Sequence, residues 1–468
     1  MKLNLNLNWL VVVLICYSNY SCEEFLEVEA PNNILIREEV FRTDETAKSA
    51  MKGIYNELFV AAFSNGYWNS VTFLAGLSAD NLQILSTANL PRMEFQQNEI
   101  LPENELNLEL WASAYNIIYM TNSFLEGLSN SEEISHELAS QLEGEARFVR
   151  AFTYFYLVNL YGDVPLILTT NYKTNGLASR EVVSEIYLQV IEDLEIARNY
   201  LSTDYKLGDR TQVNKYAATA LLSRVHLYLE NWGMAESLSS EIIEANGTYE
   251  ILGNPNEVFL ANSKEAIWQI SPLGDDELTT HTKDGELFII DPDLWFFATV
   301  KITEIIHSSF EVKDTRLQEW VGYNQMLDAH YVYKYKVWLS NQFPVVEYSM
   351  VLRLAEQYLI RAEARLKQGN LSGAVEDLNV LRQRADVELL SETNPGFDQN
   401  TLMDLIMEER RKELFAEWGH RWLDLKRTGR AEEILGANNP LWKSTDMLYP
   451  IPAEERMKNP NLTQNPGY

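Results

Sequence analysis

Two irregular stretches of the chain concentrate side chains able to grip a ligand. One follows the first helical pattern and carries Tyr67, Trp68, Asp80 and Asn81; the other carries Trp295, Trp320 and Tyr323. A Trp or Tyr ring covers an apolar C–H face, while amide and carboxylate groups bind hydroxyls in directed pairs. Each of these side chains also has a plainer role as core or loop packing.

Catalytic chemistry has weaker support. Gly419-His420-Arg421-Trp422 brings a His and an Arg close to Glu417 and Asp424, but no nucleophile motif accompanies them. Among 68 acidic residues, closeness in sequence singles out no glycosidase-like carboxylate pair. The six histidines, His136, His226, His281, His307, His330 and His420, are scattered without helical metal-ligand spacing. The two cysteines, Cys16 and Cys22, both lie at the N-terminus, which excludes a disulfide framework in the body. Neither a metal nor a cofactor is expected.

A net charge of −30 and a pI near 4.6 repel nucleic acid, and no Lys/Arg block reverses this. The same field disfavours polyanionic ligands unless a local basic pocket overrides it. With 468 residues, 46% hydrophobic and 23% charged, the chain can bury a substantial core.

The N-terminus reads as an address. Lys2 precedes a short apolar run, 9–16, and then Ser21-Cys22, after which acidic sequence begins. Residues 1–21 are expected to be a signal peptide, with Cys22 lipidated as in bacterial lipoproteins. Asn19 and Tyr20 depart from the usual aliphatic and small residues there, and the alternative is plain secretion with a leftover thiol. The apolar run is too short for a permanent membrane span.

The elements that must position the candidates are mostly helical. In 352–385, Leu354, Tyr358, Ala362 and Leu366 recur four apart, Gly369-Asn370 breaks the pattern, and Leu371, Ala374, Val375, Leu378 and Leu381 resume it. This predicts a helical hairpin of tetratricopeptide length. An ordinary hairpin explains the apolar faces equally well, but not the joint spacing of Tyr358, Ala362, Gly369 and Ala374. A second such hairpin is predicted at 214–246. Further helices are expected at 43–59 (capped by Thr43 or Asp44), 106–128, 135–161, 184–201 and 402–418. The aromatic run Phe148, Phe152, Phe155 and Tyr156 is expected in the core, as are Trp111, Trp418 and Trp422. Segment 250–348, rich in Gly and Pro with strand-like runs at 266–270 and 330–338, reads as a loop-rich insertion bearing the ligand face. The proline-rich tail after Gly429 is expected to wrap over the helical frame.

Several stretches together resemble the SusD/RagB family of Bacteroidetes outer-membrane lipoproteins. They are Cys22-Glu23-Glu24-Phe25-Leu26, Ala50-Met51-Lys52-Gly53-Ile54-Tyr55, and Glu145 to Ala151 running into Tyr161-Gly162-Asp163-Val164-Pro165. The others are Arg353-Leu354-Ala355-Glu356, Asp377-Leu378-Asn379, Glu409-Arg410-Arg411-Lys412-Glu413-Leu414, Gly419 to Leu425, Pro450-Ile451-Pro452 and Asn465-Pro466-Gly467-Tyr468. The resemblance implies a mainly α fold. It is a superhelix of tetratricopeptide-like hairpins with small β elements and an irregular insertion, in one SusD-like domain over 22–468. It also implies a non-catalytic, lipid-anchored protein on the cell exterior. Such a protein captures an oligosaccharide for a SusC-like TonB-dependent transporter. A peptide ligand and a surface glycoside hydrolase are the competing readings. The signature stretches of the family are structural, so the aromatic and amide candidates above rest on position alone.

Overall fold

The computed structural model describes residues 40–205, 208–274, 279–391 and 398–468. The expected signal peptide and Cys22 lie outside the described residues. Helices dominate, and the predicted ones are present with shifted ends. They are α1 (Asp44–Val60), α2 (Val71–Ser78), α3 (Leu90–Gln97), α4 (Glu105–Ser129), α5 (His136–Tyr161), α6 (Val183–Tyr200), α7 (Lys215–Tyr228) and α8 (Trp232–Ile243). After them come α9 (Lys283–Phe288), α10 (Thr315–Trp320), α11 (Leu354–Lys367), α12 (Leu371–Arg384), α13 (Gln399–Glu413) and α14 (His420–Arg427). Three antiparallel strand pairs join them: β1 (Leu82–Ile84) with β3 (Val300–Ile302), β2 (Ala266–Ile270) with β6 (Ser349–Arg353), and β4 (Val321–Asn324) with β5 (Ala329–Val332).

Local chemistry accounts for the boundaries. Thr43 caps α1, its hydroxyl accepting from the Thr46 amide while the Thr46 hydroxyl accepts from the Thr43 amide. Gly369 takes a φ of +84°, and the Asn370 side chain then caps α12. Both hairpins are present, α7–α8 and α11–α12, and Ala235, Ala362 and Ala374 are fully buried at their contacts. The second hairpin starts at Leu354, because Leu352 and Arg353 belong to β6.

The two hairpins are distant in sequence but adjacent in space, since α8 packs directly on α11. The stack therefore runs through α5, α6, α7, α8, α11, α12 and α13, and segment 250–348 loops out of it. A buried bidentate pair, Arg224 of α7 to Glu356 of α11 at 2.6 Å, ties the hairpins together. The aromatic face of α5 is core: Phe148 and Phe152 meet Trp268 of β2 edge-on at 5.0 and 5.1 Å, and Phe152 meets Trp418 at 5.1 Å.

Two expectations are corrected. The helix predicted over 402–418 ends at Glu413, because Ala416, Trp418 and Gly419 adopt left-handed backbone. That turn delivers the Trp418 indole N–H to the Met350 carbonyl at 2.8 Å. The strand predicted over 330–338 ends at Val332. Its inward side carries Lys334, buried beneath Trp320 and Phe415, whose ammonium donates to Glu417 and to the Glu413 carbonyl. The tail does wrap the frame. Tyr449 and Ile451 are fully buried, and Asn465 donates to the carbonyls of Tyr161 and Tyr449.

Candidate functional site

A cleft of about 270 Å³ opens between the loop after α1, the start of α3 and the insertion. Tyr67, Trp68, Arg92, Glu286, Asp291, Leu294, Phe297, Trp338 and Leu339 are among the residues lining it. The β1–β3 pairing brings these distant segments together. It is reinforced by Thr303, whose hydroxyl donates to the Asp80 carbonyl at 2.6 Å and whose amide donates to the Asn81 carbonyl at 3.0 Å.

The aromatic wall is rigidly held. Gly66 turns the chain at φ +78°, and the Asn65 side chain accepts from the Tyr67 amide at 2.8 Å. The Tyr67 and Trp68 rings lie 6.0 Å apart, tilted by 60°. The Tyr67 hydroxyl donates to Glu286 Oε1 at 3.0 Å, and the Trp338 indole donates to the Glu286 carbonyl at 3.1 Å. Burial pushes the Tyr67 pKa up to about 12, aided by the adjacent Glu286 carboxylate. Glu286 itself is held below the usual carboxylate range: burial opposes this, but hydrogen bonds from His281 and Tyr67 outweigh it.

Of the residues expected to bind, Tyr67 and Trp68 line the cleft, half-buried with exposed edges. Trp295 is on the adjoining 3-10 turn, Trp295–Phe297, but outside the cleft lining. Tyr323 is 53% exposed on the β4–β5 hairpin, away from the cleft, and donates to Asp328 at 2.8 Å. Trp320, Asp80 and Asn81 have other employment. The Trp320 ring is wholly buried, its N–H donates to the Pro255 carbonyl at 3.0 Å, and no face is open to a ligand. Asp80 is buried and ion-paired with Arg421 at 2.7 Å and Arg411 at 2.9 Å. The Asn81 side-chain oxygen accepts from Arg411 at 2.8 Å. These residues fasten the base of β1 to α13 and α14 and reach no ligand. The Gly419 to Leu425 stretch is structural likewise: Asp424 pairs with Arg410 and Arg427, each at 2.8 Å.

Sequence reasoning overlooked Arg92, Phe297 and Trp338. Phe296 and Phe297 are 60% and 65% exposed, and three consecutive aromatics at 295–297 were the available signal. Among the described residues, no group of three or more His, Cys, Asp or Glu side chains could hold a metal ion, and no helix is long and apolar enough to cross a membrane. The cleft offers tilted rings, an indole and a carboxylate on one open face. That arrangement can cover an apolar ring face and hydrogen-bond hydroxyls at its rim.

Comparison with known proteins agrees with the architecture. Residues 24–227 match a family described as "Starch-binding associating with outer membrane", and residues 319–468 match the "SusD family". A SusD-like protein of Formosa agariphila is 25% identical, covering 98% of this chain and 99% of its own. The starch-binding protein SusD of Bacteroides thetaiotaomicron is 24% identical over 73% of this chain and 74% of its own. Among solved structures, a SusD superfamily protein from Bacteroides vulgatus superposes with a TM-score of 0.78 at 21% identity, covering 91% of this chain and 99% of that one. A laminarin-binding SusD-like protein superposes with a TM-score of 0.76 at 21% identity, covering 92% of this chain and all of that one. The helical stack, the charged signature at 409–425 and these matches at both ends of the chain place it in the SusD/RagB family.

Proposed function

We propose that this protein is a cell-surface glycan-binding lipoprotein. In this reading it holds an oligosaccharide against Tyr67, Trp68, Phe297 and Trp338, with Trp295 and Tyr323 as outlying contacts. It then passes the sugar to a SusC-like TonB-dependent transporter. The observation that carries the reading is the open cleft whose wall is two tilted aromatic rings beside a hydrogen-bonded carboxylate. A sugar ring needs both an apolar cover and directed polar partners. Starch and laminarin binding by relatives of the same fold supports a carbohydrate over other ligands.

The protein acts without catalysis, as a single unit from Cys22 to Tyr468, tethered to the outer membrane through lipid on Cys22 and facing outward. Several acyl chains on one cysteine would make that anchor effectively permanent. Calorimetry with a panel of polysaccharides and peptides tests the ligand class. Binding of a polysaccharide, with no release of reducing sugar, is expected; binding of peptides alone, or release of reducing sugar, overturns the reading. Co-purification of a large outer-membrane transporter with the tagged protein tests the partner.

A further inference from the structure

Resting on the glycan-binding reading of the same cleft, a closer look at its charges narrows the ligand. Three charged side chains line the cleft: Arg92, Glu286 and Asp291. The two carboxylates are already engaged. Glu286 accepts from Tyr67 at 3.0 Å and lies 3.4 Å from a His281 ring nitrogen. One Asp291 oxygen accepts from the amides of Asp293 and Leu294, both at 2.9 Å.

Arg92 is different. Its guanidinium lies over the Trp68 ring at 5.2 Å and near the Phe73 ring at 5.9 Å. Its Nε is buried without a hydrogen-bond partner, and among the described residues no carboxylate pairs with it. This occurs in a chain with 68 acidic residues against 38 basic ones, where buried arginines elsewhere, such as Arg224, Arg316 and Arg353, are ion-paired. Arg92 also occupies the first turn of α3, where the helix dipole disfavours a positive charge. Stacking on Trp68 orients the guanidinium but satisfies none of its donors. An unpaired donor in a half-buried cleft is costly unless a ligand completes it.

We infer that Arg92 makes this cleft select for glycans that carry an oxyanion, either a uronate carboxylate or a sulfate ester, stacked against Trp68 and bonded by the free guanidinium edge. A planar guanidinium is suited to two-point recognition of such a group. The net charge of −30 repels anionic chains in general, so capture depends on this local cation.

The test is titration calorimetry of the wild type, Arg92→Gln, Arg92→Lys and Trp68→Ala proteins with neutral, uronate-containing and sulfated polysaccharides. A charged polysaccharide is expected to bind wild type tightest, and Arg92→Gln to weaken it at least tenfold, with partial recovery in Arg92→Lys. Chemical desulfation or carboxyl esterification of that ligand should weaken wild-type binding similarly and add little further loss in Arg92→Gln. Which treatment acts tells sulfate from uronate. Tightest binding of an uncharged polysaccharide, or an equal loss for charged and neutral ligands in Arg92→Gln, overturns the inference. In that event a large loss in Trp68→Ala keeps the glycan-binding reading of the cleft. If neither Arg92→Gln nor Trp68→Ala weakens any ligand, both readings fail.

Discussion

At the scale of single residues, the cleft depends on how closely Gly66 approaches Asp284. A Cβ built on Gly66 would lie 2.2 Å from Asp284 Oδ2, and that oxygen accepts from Ser349 at 2.9 Å. With φ at +78° as well, Gly66→Ala should cost about 2 kcal/mol in chemical denaturation and displace Tyr67 and Trp68. Asp284 is itself a pH-dependent burden. Burial pushes its pKa up from 3.8 to about 7, opposed only in part by the Ser349 hydrogen bond. Below 3.8 both folded and unfolded chains hold the proton, and the residue costs nothing. As pH climbs towards 7 only the unfolded chain readily releases it, so the folded state loses ground. Asp284→Asn should therefore raise thermal stability at pH 8, by at most roughly 4 kcal/mol, and leave it nearly unaltered at pH 4. Little of this was legible beforehand. Trp68 and Trp320 look alike in sequence, each an aromatic in an irregular stretch. What separates them is that Trp320 follows Arg316, a charged residue buried against Asp314, Glu409 and Glu413, which no hydrophobic pattern reveals.

At the scale of elements, the helical hairpins were legible because their small residues recur at fixed spacing. Ala374 of α12 has no exposed surface against α11, so Ala374→Leu should overpack that contact and lower stability by about 1–3 kcal/mol. Thermal melts of this variant, compared with an exposed alanine substitution, check it. The ends of α13 and β5 were misread for one shared reason. Periodicity treats charged residues as outward-facing, whereas Lys334, Glu413 and Glu417 turn inward to meet one another and Arg353. The same blindness hid the fate of Asp80, whose ion pairs come from residues more than three hundred positions away.

At the scale of the whole molecule, a buried charge cluster joins the insertion to the helical frame. Arg353 contacts Glu265 at 3.0 Å, Glu413 at 2.6 Å and Glu417 at 2.8 Å, while Arg316 reaches Glu409 at 2.5 Å and Glu413 at 3.1 Å. Glu413 also pairs with Arg384. Removing one member leaves the opposite charges buried and uncompensated, so Glu413→Gln should cost about 3–5 kcal/mol in denaturant unfolding. Through this cluster and the β1–β3 pair, a stack of passive helices fixes the position of an aromatic cleft built from distant segments. The direct measurement of that arrangement is calorimetric titration of a binding polysaccharide into wild type and Trp68→Ala. The account expects Trp68→Ala, folded and equally stable, to lose at least 1 kcal/mol of binding free energy, on the order expected of an anchoring aromatic. Equal affinity of the two proteins would contradict it.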